Sequence, residues 1–274
     1  MATSQSEKAR RFRALHEREG VFVIPNPWDV GSARILAALG FEALATTSLG
    51  MAVALGKRDG AVSRDDALAH CRAIVGATDL PVSADLENGF GDDPATVAET
   101  IRLAAATGLA GGSVEDASGD PRRPIYDFGL AVERVAAAVE AARALPVPFT
   151  LTARAENFLR GPPDLDDTIR RLQAFEQAGA DVLYAPLLPD LAAIKTVCAS
   201  VSKPLNVLAG RPQFSVAELE AAGVKRVSLG GLLARAALGA FLRAGREIKD
   251  RGTFTFAKDA VPLAEIHGMM AGKS

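Results

Sequence analysis

Short apolar runs alternate along the chain with longer segments whose apolar residues recur at helical spacing. The apolar runs have the length of β-strands and occupy eight places, namely 21–27, 43–48, 81–86, 111–116, 148–155, 180–186, 204–210 and 226–231. Between them, segments such as 95–108, 130–145 and 167–180 are rich in Ala and Leu with helical periodicity. Several of these segments end at Gly directly before the next strand, as helices commonly do. Strands that alternate with helices predict βαβ units and a parallel sheet.

The number of units predicts the architecture. Eight strand–helix units in about 250 residues are typical of a closed (β/α)8 barrel, the TIM barrel. We therefore predict a single α/β domain over 1–274, with an N-terminal helix within 1–20 and a helical tail at 253–274. A doubly wound open sheet is the alternative, but no GxGxxG motif follows the first strand to support it.

The connections between the predicted elements are unequal in length. Those that lead into strands are short, for example TDLP at 78–81. Those that leave strands are often long, as at 49–63, 87–94, 115–129 and 156–167. In a TIM barrel the loops that leave the strands gather on one face, where active sites lie. The sequence therefore predicts a functional site at that face.

Polar side chains stand at the ends of several predicted strands. They are Ser48 on the second strand, Asp85 and Glu87 on the third, Glu115 and Asp116 on the fourth, Arg154 and Glu156 on the fifth, and Asn206 within the seventh. Since side chains alternate along a strand, Asp85 and Glu87 are predicted to point the same way. Carboxylates packed together in a partly buried mouth repel each other, and a divalent cation would remove that repulsion.

The residue types at the mouth favour a hard cation. His16, His70 and His267 lie away from the strand ends, and Cys71 and Cys198 lie in helical segments. A site made of oxygen ligands favours Mg²⁺ or Mn²⁺ over zinc. Because Mg²⁺ keeps several waters, one direct Asp with other acids acting through water is sufficient.

Structural roles are open for some of these residues. An acid at a strand end can cap the following helix, and Asp92 or Asp93 before Pro94 is predicted to do so. Arg154 could pair with a neighbouring carboxylate rather than with substrate. Asn206 could serve only to satisfy backbone groups.

Composition excludes several classes of partner. The 274 residues carry 31 basic and 33 acidic side chains, for a net charge of −2, which indicates neither a nucleic-acid nor a membrane-surface partner. No apolar run reaches the roughly 18 residues of a membrane span, and the N-terminus has no secretory apolar region. Two cysteines without a CxxC motif predict a reduced, cytoplasmic protein.

Six stretches of the chain resemble the isocitrate lyase / phosphoenolpyruvate mutase superfamily. They read NPWDVGSARIL, TTSLGMAVALGKRDG, ADLENGFGDD, GGSVEDASG, TARAENFL and KPLNVLAG. The resemblance implies a (β/α)8 barrel, a Mg²⁺ cofactor and a small 2-oxo or 2-hydroxy acid as substrate. It also implies a homo-oligomer, a dimer or tetramer, in which the C-terminal helix of the tail is swapped between subunits.

The same resemblance assigns roles to individual residues. It implies that the direct metal ligand is Asp85 and that the supporting acids are Asp59, Glu87 and Glu115. The substrate carboxylate would be held by Ser48, Leu49 and Gly50, where Leu49 replaces a family glycine, together with Arg154 and Asn206.

One loop departs from the family. Related lyases carry KKCGH or KRCGH after the fourth strand, and phosphonate-forming mutases carry a Lys-x-Asn-Ser pattern there. This chain reads ASGDPRRPIYDF instead, without Cys or His. The departure favours an oxaloacetate-decarboxylase-like reaction, which needs less from this loop.

The resulting hypothesis is a Mg²⁺-dependent lyase or decarboxylase that acts on a small 2-oxo dicarboxylic acid through a metal-stabilised enolate. Oxaloacetate is the first candidate substrate, and Arg154 would hold a carboxylate. Candidate donors of the proton to carbon are Tyr184, Glu156, Tyr126 and metal-bound water, and the sequence does not choose among them. The loop at 117–128, which is punctuated by Gly and Pro, is a candidate lid.

Two alternatives remain open. The first is a 2-methylisocitrate lyase or a phosphonate mutase, acting on carboxyphosphonoenolpyruvate or phosphoenolpyruvate, with a different loop residue. The second is a non-catalytic homologue that binds Mg²⁺ and an acid.

Overall fold

Eight parallel strands form a nearly closed barrel in the computed structural model, which describes residues 3–210 and 214–271. The strands are β1 (Phe22–Ile24), β2 (Leu44–Ala45), β3 (Val82–Asp85), β4 (Gly111–Glu115), β5 (Thr150–Arg154), β6 (Val182–Tyr184), β7 (Leu205–Leu208) and β8 (Arg226–Ser228). Their order in the sheet is β1-β8-β7-β6-β5-β4-β3-β2. The amide of Ala45 donates to the carbonyl of Pro25 over 3.0 Å and so links β2 to β1. The predicted (β/α)8 barrel is confirmed.

Helices follow the strands and form the outer layer. They are α1 (Gln5–Glu17), α2 (Val30–Ala38), α3 (Ser48–Ala54), α4 (Arg64–Gly76), α5 (Pro94–Ala105), α6 (Phe128–Arg143), α7 (Leu165–Gln177), α8 (Leu191–Ser200), α9 (Val216–Ala221), α10 (Leu232–Arg251) and α11 (Leu263–Met270). A 3-10 helix, Thr255–Asp259, joins α10 to α11. No helix within the two described ranges is long and apolar enough to cross a membrane.

The second strand is shorter than its sequence pattern suggests. It ends at Ala45, and Thr47 adopts an extended conformation as the N-cap of α3, accepting from the amide of Gly50 over 3.5 Å. Ser48, which we predicted at the end of the strand, is therefore the first residue of a helix. The cause is the short polar side chain of Thr47, which satisfies a free helix amide.

The acidic loop after β3 ends in a helix cap, as predicted. Asp93 accepts from the amide of Ala95 over 2.9 Å, and Pro94 occupies the first helical turn of α5. The neighbouring Asp92 has a different role, because it accepts from the hydroxyl of Tyr126 over 2.6 Å.

The barrel is apolar outside and polar inside. The faces of the strands that meet the helices carry the aliphatic core, whereas the buried interior of the barrel carries polar side chains, namely Ser83, Ser113, Thr150, Thr152, Asn206, Arg226 and Ser228. The helix α1 closes the floor with Phe12, which is fully buried beside β4. The polar interior opens toward the opposite end, at the carboxyl ends of the strands.

Close packing at the floor requires glycine at the start of β4. A Cβ on Gly111 would lie 2.5 Å from the carbonyl oxygen of Thr150 and 3.0 Å from the ring of Phe12. We expect Gly111→Ala to lower the free energy of unfolding by about 1–3 kcal/mol, because neither neighbour can move freely. Urea denaturation followed by circular dichroism measures this change.

The matched control is Gly245→Ala in α10, where a Cβ would meet nothing within 4 Å. This variant should be equally stable or more stable by about 0.5–1 kcal/mol. Equal stability of the Gly111→Ala variant and the wild-type protein would contradict the proposed packing.

Candidate active site

A cavity of about 1020 Å³ opens at the carboxyl ends of the strands. Most of the residues singled out from the sequence line it, namely Ser48, Leu49, Asp59, Asp85, Glu87, Glu115, Arg154, Tyr184 and Asn206. They come from the five strands β3 to β7 and from the segments that follow β2 and β3. The barrel thus brings together residues that are far apart in sequence.

Arg154 is the centre of the charged cluster. Its Nη1 lies 3.2 Å from Asp85 Oδ1 and 3.1 Å from Glu115 Oε2, and its Nη2 lies 2.7 Å from Glu156 Oε1. Its guanidinium also lies 4.8 Å from the centre of the Tyr184 ring. The single guanidinium of Arg154 therefore holds three carboxylates, which lie at the end of β3, at the end of β4 and two residues after β5.

The charges of this cluster are not balanced. Burial by itself would lower the pKa of Arg154, but Glu115, Glu156 and Asp85 raise it well above its ordinary value. Burial, and then the negative charges of Glu156 and Asp85, raise the pKa of Glu115 well above its ordinary value, although Arg154 opposes them. A second positive charge at the mouth would relieve this excess of negative charge.

Asp85 is held in a fixed orientation at the end of β3. Its Oδ2 accepts from the amide of Ser48 over 3.2 Å, and its Oδ1 accepts from the amide of Glu87 over the same distance. Its own amide donates to the hydroxyl of Thr46 over 3.0 Å. The N-terminus of α3 and the end of β3 are thus joined through this one carboxylate.

Glu87 lies outside the strand. Its φ of 49° is in the left-handed region, so strand alternation does not set the direction of its side chain. The side chain nevertheless lines the same cavity as Asp85, and its Oε1 is buried without a hydrogen-bond partner. Burial, followed by the charges of Asp85 and Asp59, raises the pKa of Glu87 to about 7.

The side chains fit a metal that needs few protein ligands. Within residues 3–210 and 214–271, no group of three or more His, Cys, Asp and Glu is arranged to hold a metal ion by itself. The unpartnered Oε1 of Glu87 and the oxygens of Asp85 are nevertheless a donor set of the type that Mg²⁺ uses. Mg²⁺ commonly takes one or two carboxylates and completes its shell with water and substrate oxygens.

Asn206 lines the cavity, but its amide is engaged within the barrel. Its Oδ1 accepts from Arg226 Nε over 2.9 Å, and its Nδ2 donates to Ser228 Oγ over 3.0 Å. That hydroxyl also donates to Tyr184 over 3.4 Å. Burial raises the pKa of Tyr184 to about 12, although Arg154 and the bond from Ser228 act in the opposite direction.

Three residues proposed from the sequence do not line the cavity. Gly50 packs against Trp28, Glu156 is fully buried behind Arg154, and Tyr126 is buried with its hydroxyl bonded to Asp92. Glu156 therefore reaches the cavity only through Arg154.

Asp116, which the sequence placed in the acidic cluster, also lies outside the cavity. It pairs with Arg171 of α7 over 3.0 Å and accepts from the amide of Glu156 over 2.8 Å. Because neighbouring residues of a strand point to opposite faces, Glu115 faces the mouth and Asp116 faces the helices.

Sequence reasoning missed several lining residues. They are Thr46, Thr47, Arg160, Arg226 and Arg235. The TTS sequence at 46–48 was a usable signal for the first two, because a threonine before a helix is a common N-cap. Nothing local in the sequence distinguishes the arginines from surface arginines.

The loop after β4 covers one side of the cavity. Ala117 pairs with Ile125 in an antiparallel bridge, and the amide of Ser118 donates to the carbonyl of Pro124 over 3.0 Å. The tip of this small hairpin, including Gly119 and Pro121, lines the cavity. The role of this loop as a lid stays a prediction.

Comparisons with known proteins agree with this architecture. The family model for phosphoenolpyruvate phosphomutase matches residues 12–249. An uncharacterized protein of Mycobacterium tuberculosis (strain H37Rv) is 32% identical over 260 residues, which cover 94% of this chain and 95% of that protein. A 2-methylisocitrate lyase of Halalkalibacterium halodurans is 28% identical over 258 residues, covering 91% of this chain and 85% of the lyase.

A solved structure from Burkholderia cenocepacia J2315, provisionally described as a lyase/mutase, is 60% identical to this chain. The TM-score is 0.95, and the match covers 97% of both chains.

The raised pKa of Glu87 predicts a pH-dependent stability. In the metal-free protein, the folded state holds this proton more tightly than the unfolded chain, whose pKa is near 4.5. The free energy of unfolding should therefore fall as pH rises from about 4.5 to about 7. We expect Glu87→Gln to weaken this fall and to raise stability at pH 8 by about 1 kcal/mol, since the cavity partly solvates the carboxyl.

Urea denaturation of the metal-free protein across this pH range measures the effect. Glu133→Gln is the control, because Glu133 lies exposed on α6. An unchanged pH profile in the Glu87→Gln variant would show that Glu87 ionises normally.

Proposed function

The chain belongs to the phosphoenolpyruvate phosphomutase family, within the isocitrate lyase / phosphoenolpyruvate mutase superfamily, and from this membership we propose a divalent-cation-dependent carbon–carbon lyase. Its substrate is a small 2-oxo dicarboxylic acid, and decarboxylation of oxaloacetate is the reaction we favour. The observation that carries the proposal is Arg154, which sits among Asp85, Glu115 and Glu156 beside the mouth cavity.

The acids of the mouth would hold the cation. Asp85 would be the direct ligand, and Asp59, Glu87 and Glu115 would act through water. When bound, Mg²⁺ or Mn²⁺ supplies Lewis-acid stabilisation of the negative charge that develops on substrate oxygen. This assignment is supported by the excess negative charge around Arg154 and by the unpartnered Oε1 of Glu87.

Arg154 and the start of α3 bind and orient the substrate. The guanidinium is fixed by three carboxylates and by the Tyr184 ring, so it loses little conformational freedom when it binds a substrate carboxylate. Ser48 and Leu49 line the same cavity, and the backbone amide of Leu49 would donate to the substrate, because the amide of Ser48 is bonded to Asp85.

Tyr184 is the favoured proton donor. Tyr184 lines the cavity, and its pKa of about 12 keeps its hydroxyl protonated at neutral pH. A protonated phenol beside the reacting carbon can protonate a carbanion and then recover its proton from solvent. Tyr126, the other phenol, is buried on Asp92 and has no access to the cavity.

The residues of the loop after β4 support a reaction that needs no acid–base side chain from that loop. Ser118, Gly119, Asp120, Pro121 and Pro124 line the cavity, and this stretch has neither Cys nor His. Decarboxylation needs orientation and charge stabilisation but no acid on the loop to protonate a leaving group. The hairpin instead excludes water from the carbanion, in the manner of a lid.

Replacement of Asp85 tests the cation site. We expect Asp85→Asn to lower divalent-dependent turnover at least about a hundredfold, because Lewis-acid stabilisation worth several kcal/mol is lost. Turnover of oxaloacetate, methylisocitrate and phosphonopyruvate is measured with added Mg²⁺ and with EDTA, and Mn²⁺ binding is measured by calorimetry.

Asp93→Asn is the matched control, since asparagine also caps a helix and Asp93 lies outside the cavity. Turnover that survives EDTA and the Asp85→Asn substitution would refute the proposal. Turnover of methylisocitrate or phosphonopyruvate alone would leave the cation site in place but replace the favoured reaction. Metal binding without turnover of any substrate would identify a binding protein.

We further propose that the protein is a homo-oligomer, a dimer or tetramer, assembled through its C-terminal region. Large apolar side chains are exposed there, including Phe241 at 72%, Phe254 at 65% and Leu263 at 67%. Phe241 lies on α10, Phe254 directly precedes the 3-10 helix Thr255–Asp259, and Leu263 begins α11. Apolar groups concentrated in one region in this way are typical of a protein interface.

Light scattering coupled to size exclusion tests the assembly. We expect the wild-type protein to elute as a dimer or tetramer and the double variant Phe241→Asp/Leu263→Asp to shift to a lower mass. Val216→Asp, an exposed apolar position on α9, should leave the mass unchanged. A monomeric wild-type protein would exclude this assembly.

A further inference from the structure

A second arginine lies inside the barrel, below the charged cluster of the mouth. Arg226 of β8 is 5% exposed, and its contacts are all with neutral groups. Its Nε donates to Asn206 Oδ1 over 2.9 Å, its Nη2 to Thr152 Oγ1 over 3.0 Å, and its Nη1 to His16 Nε2 over 3.2 Å.

No carboxylate compensates this charge within the described parts of the chain. No carboxylate contributes to the electrostatic surroundings of Arg226, and burial lowers its pKa to about 10, although the phenol of Tyr184 acts in the opposite direction. Burial and then Arg226 itself lower the pKa of His16 to about 3. The imidazole ring is therefore neutral and does not act as a counter-ion for Arg226. Arg226 is thus a buried cation without a counter-ion, an arrangement that is costly unless an anion is supplied.

The active-site cavity extends down to Arg226. Arg226 lines that cavity together with small side chains, including Ser83, Ser113 and Ser228. Thr152, which accepts from Arg226, lies two residues before Arg154 on β5. The side chains of Thr152 and Arg154 therefore both point into the barrel, with Thr152 one level deeper. Two arginines therefore face one cavity at two depths, one surrounded by acids and the other by none.

We propose that Arg226 binds a carboxylate of the substrate, namely the one at the end remote from the cation and Arg154. This inference rests on the proposed function and names the residue that recognises the second carboxylate of its dicarboxylic substrate. A purely structural role, in which Arg226 joins α1 to the barrel, accounts for the three contacts. It leaves the charge uncompensated and leaves N–H groups of the guanidinium without acceptors.

The proposed contact is made in the bound substrate before any bond breaks. Interactions of this kind lower KM more than they raise kcat, so they are best measured as affinity. The appropriate probes are unreactive acids that share the 2-hydroxy carboxylate end and differ at the far end. L-Malate and its C4 amide have nearly the same size and differ in the far negative charge.

Isothermal titration of both ligands at saturating Mg²⁺ tests the inference in the wild-type protein. We expect L-malate to bind at least about tenfold more tightly than its C4 amide, since a charge-assisted hydrogen bond replaces a neutral one. In Arg226→Met the ratio should fall to about one, and in Arg226→Lys it should be intermediate. Arg143→Met is the control, because it removes the same charge from the surface pair with Asp181, outside the cavity.

The outcomes separate this inference from the proposed function. If neither ligand binds to the wild-type protein with Mg²⁺ present, the proposed function fails. If both bind equally well, Arg226 binds no substrate carboxylate, while the cation-dependent site stands. Should both Arg226 variants unfold, equal affinities of the two ligands for the wild-type protein would still overturn the inference.

Discussion

The ion cluster around Arg154 is the interaction on which the site depends. Asp85, Glu115 and Glu156 stand at the ends of neighbouring strands, where their charges would repel each other without a cation between them. Because the cluster is buried, removing one partner of such a pair costs more than a surface ion pair contributes, commonly about 3–5 kcal/mol. A single guanidinium therefore holds three strand ends in register and still leaves net negative charge beside the cavity.

Arg134 organises the loops around this cluster. Arg134 of α6 donates to the backbone carbonyls of Asn88, Gly91 and Asp92, and its guanidinium lies 4.1 Å from the centre of the Tyr126 ring. Tyr126 in turn bonds Asp92 and Asn88 through its hydroxyl. The loop that carries Glu87 and the loop that covers the cavity are thus tied to one helix, and Tyr126, a candidate proton donor in the sequence, has a structural role.

The division of the barrel into an apolar shell and a polar interior explains how one fold can present cations at two depths. The aliphatic core lies between strands and helices, so the interior is free to carry serines, threonines, an asparagine and arginines. Polar groups there are satisfied mainly by each other, as the link from Arg226 through Asn206 and Ser228 to Tyr184 illustrates. A cavity with such walls favours a small, doubly charged ligand over an apolar one.

The sequence by itself determined the eight strands, the helices between them and the face on which the acids gather, because periodicity and loop length are local properties of the chain. It also determined that Asp85, Glu115 and Arg154 lie together, since the carboxyl ends of parallel strands meet at one end of a barrel. Only the tertiary structure decided which polar groups remain free for chemistry. The hydroxyl of Tyr126 is bonded to Asp92, and the side chain of Asn206 is bonded to Arg226. Arg226 is also bonded to His16, which lies 210 positions away in the chain. Such pairings depend on packing between remote segments, which no local pattern encodes.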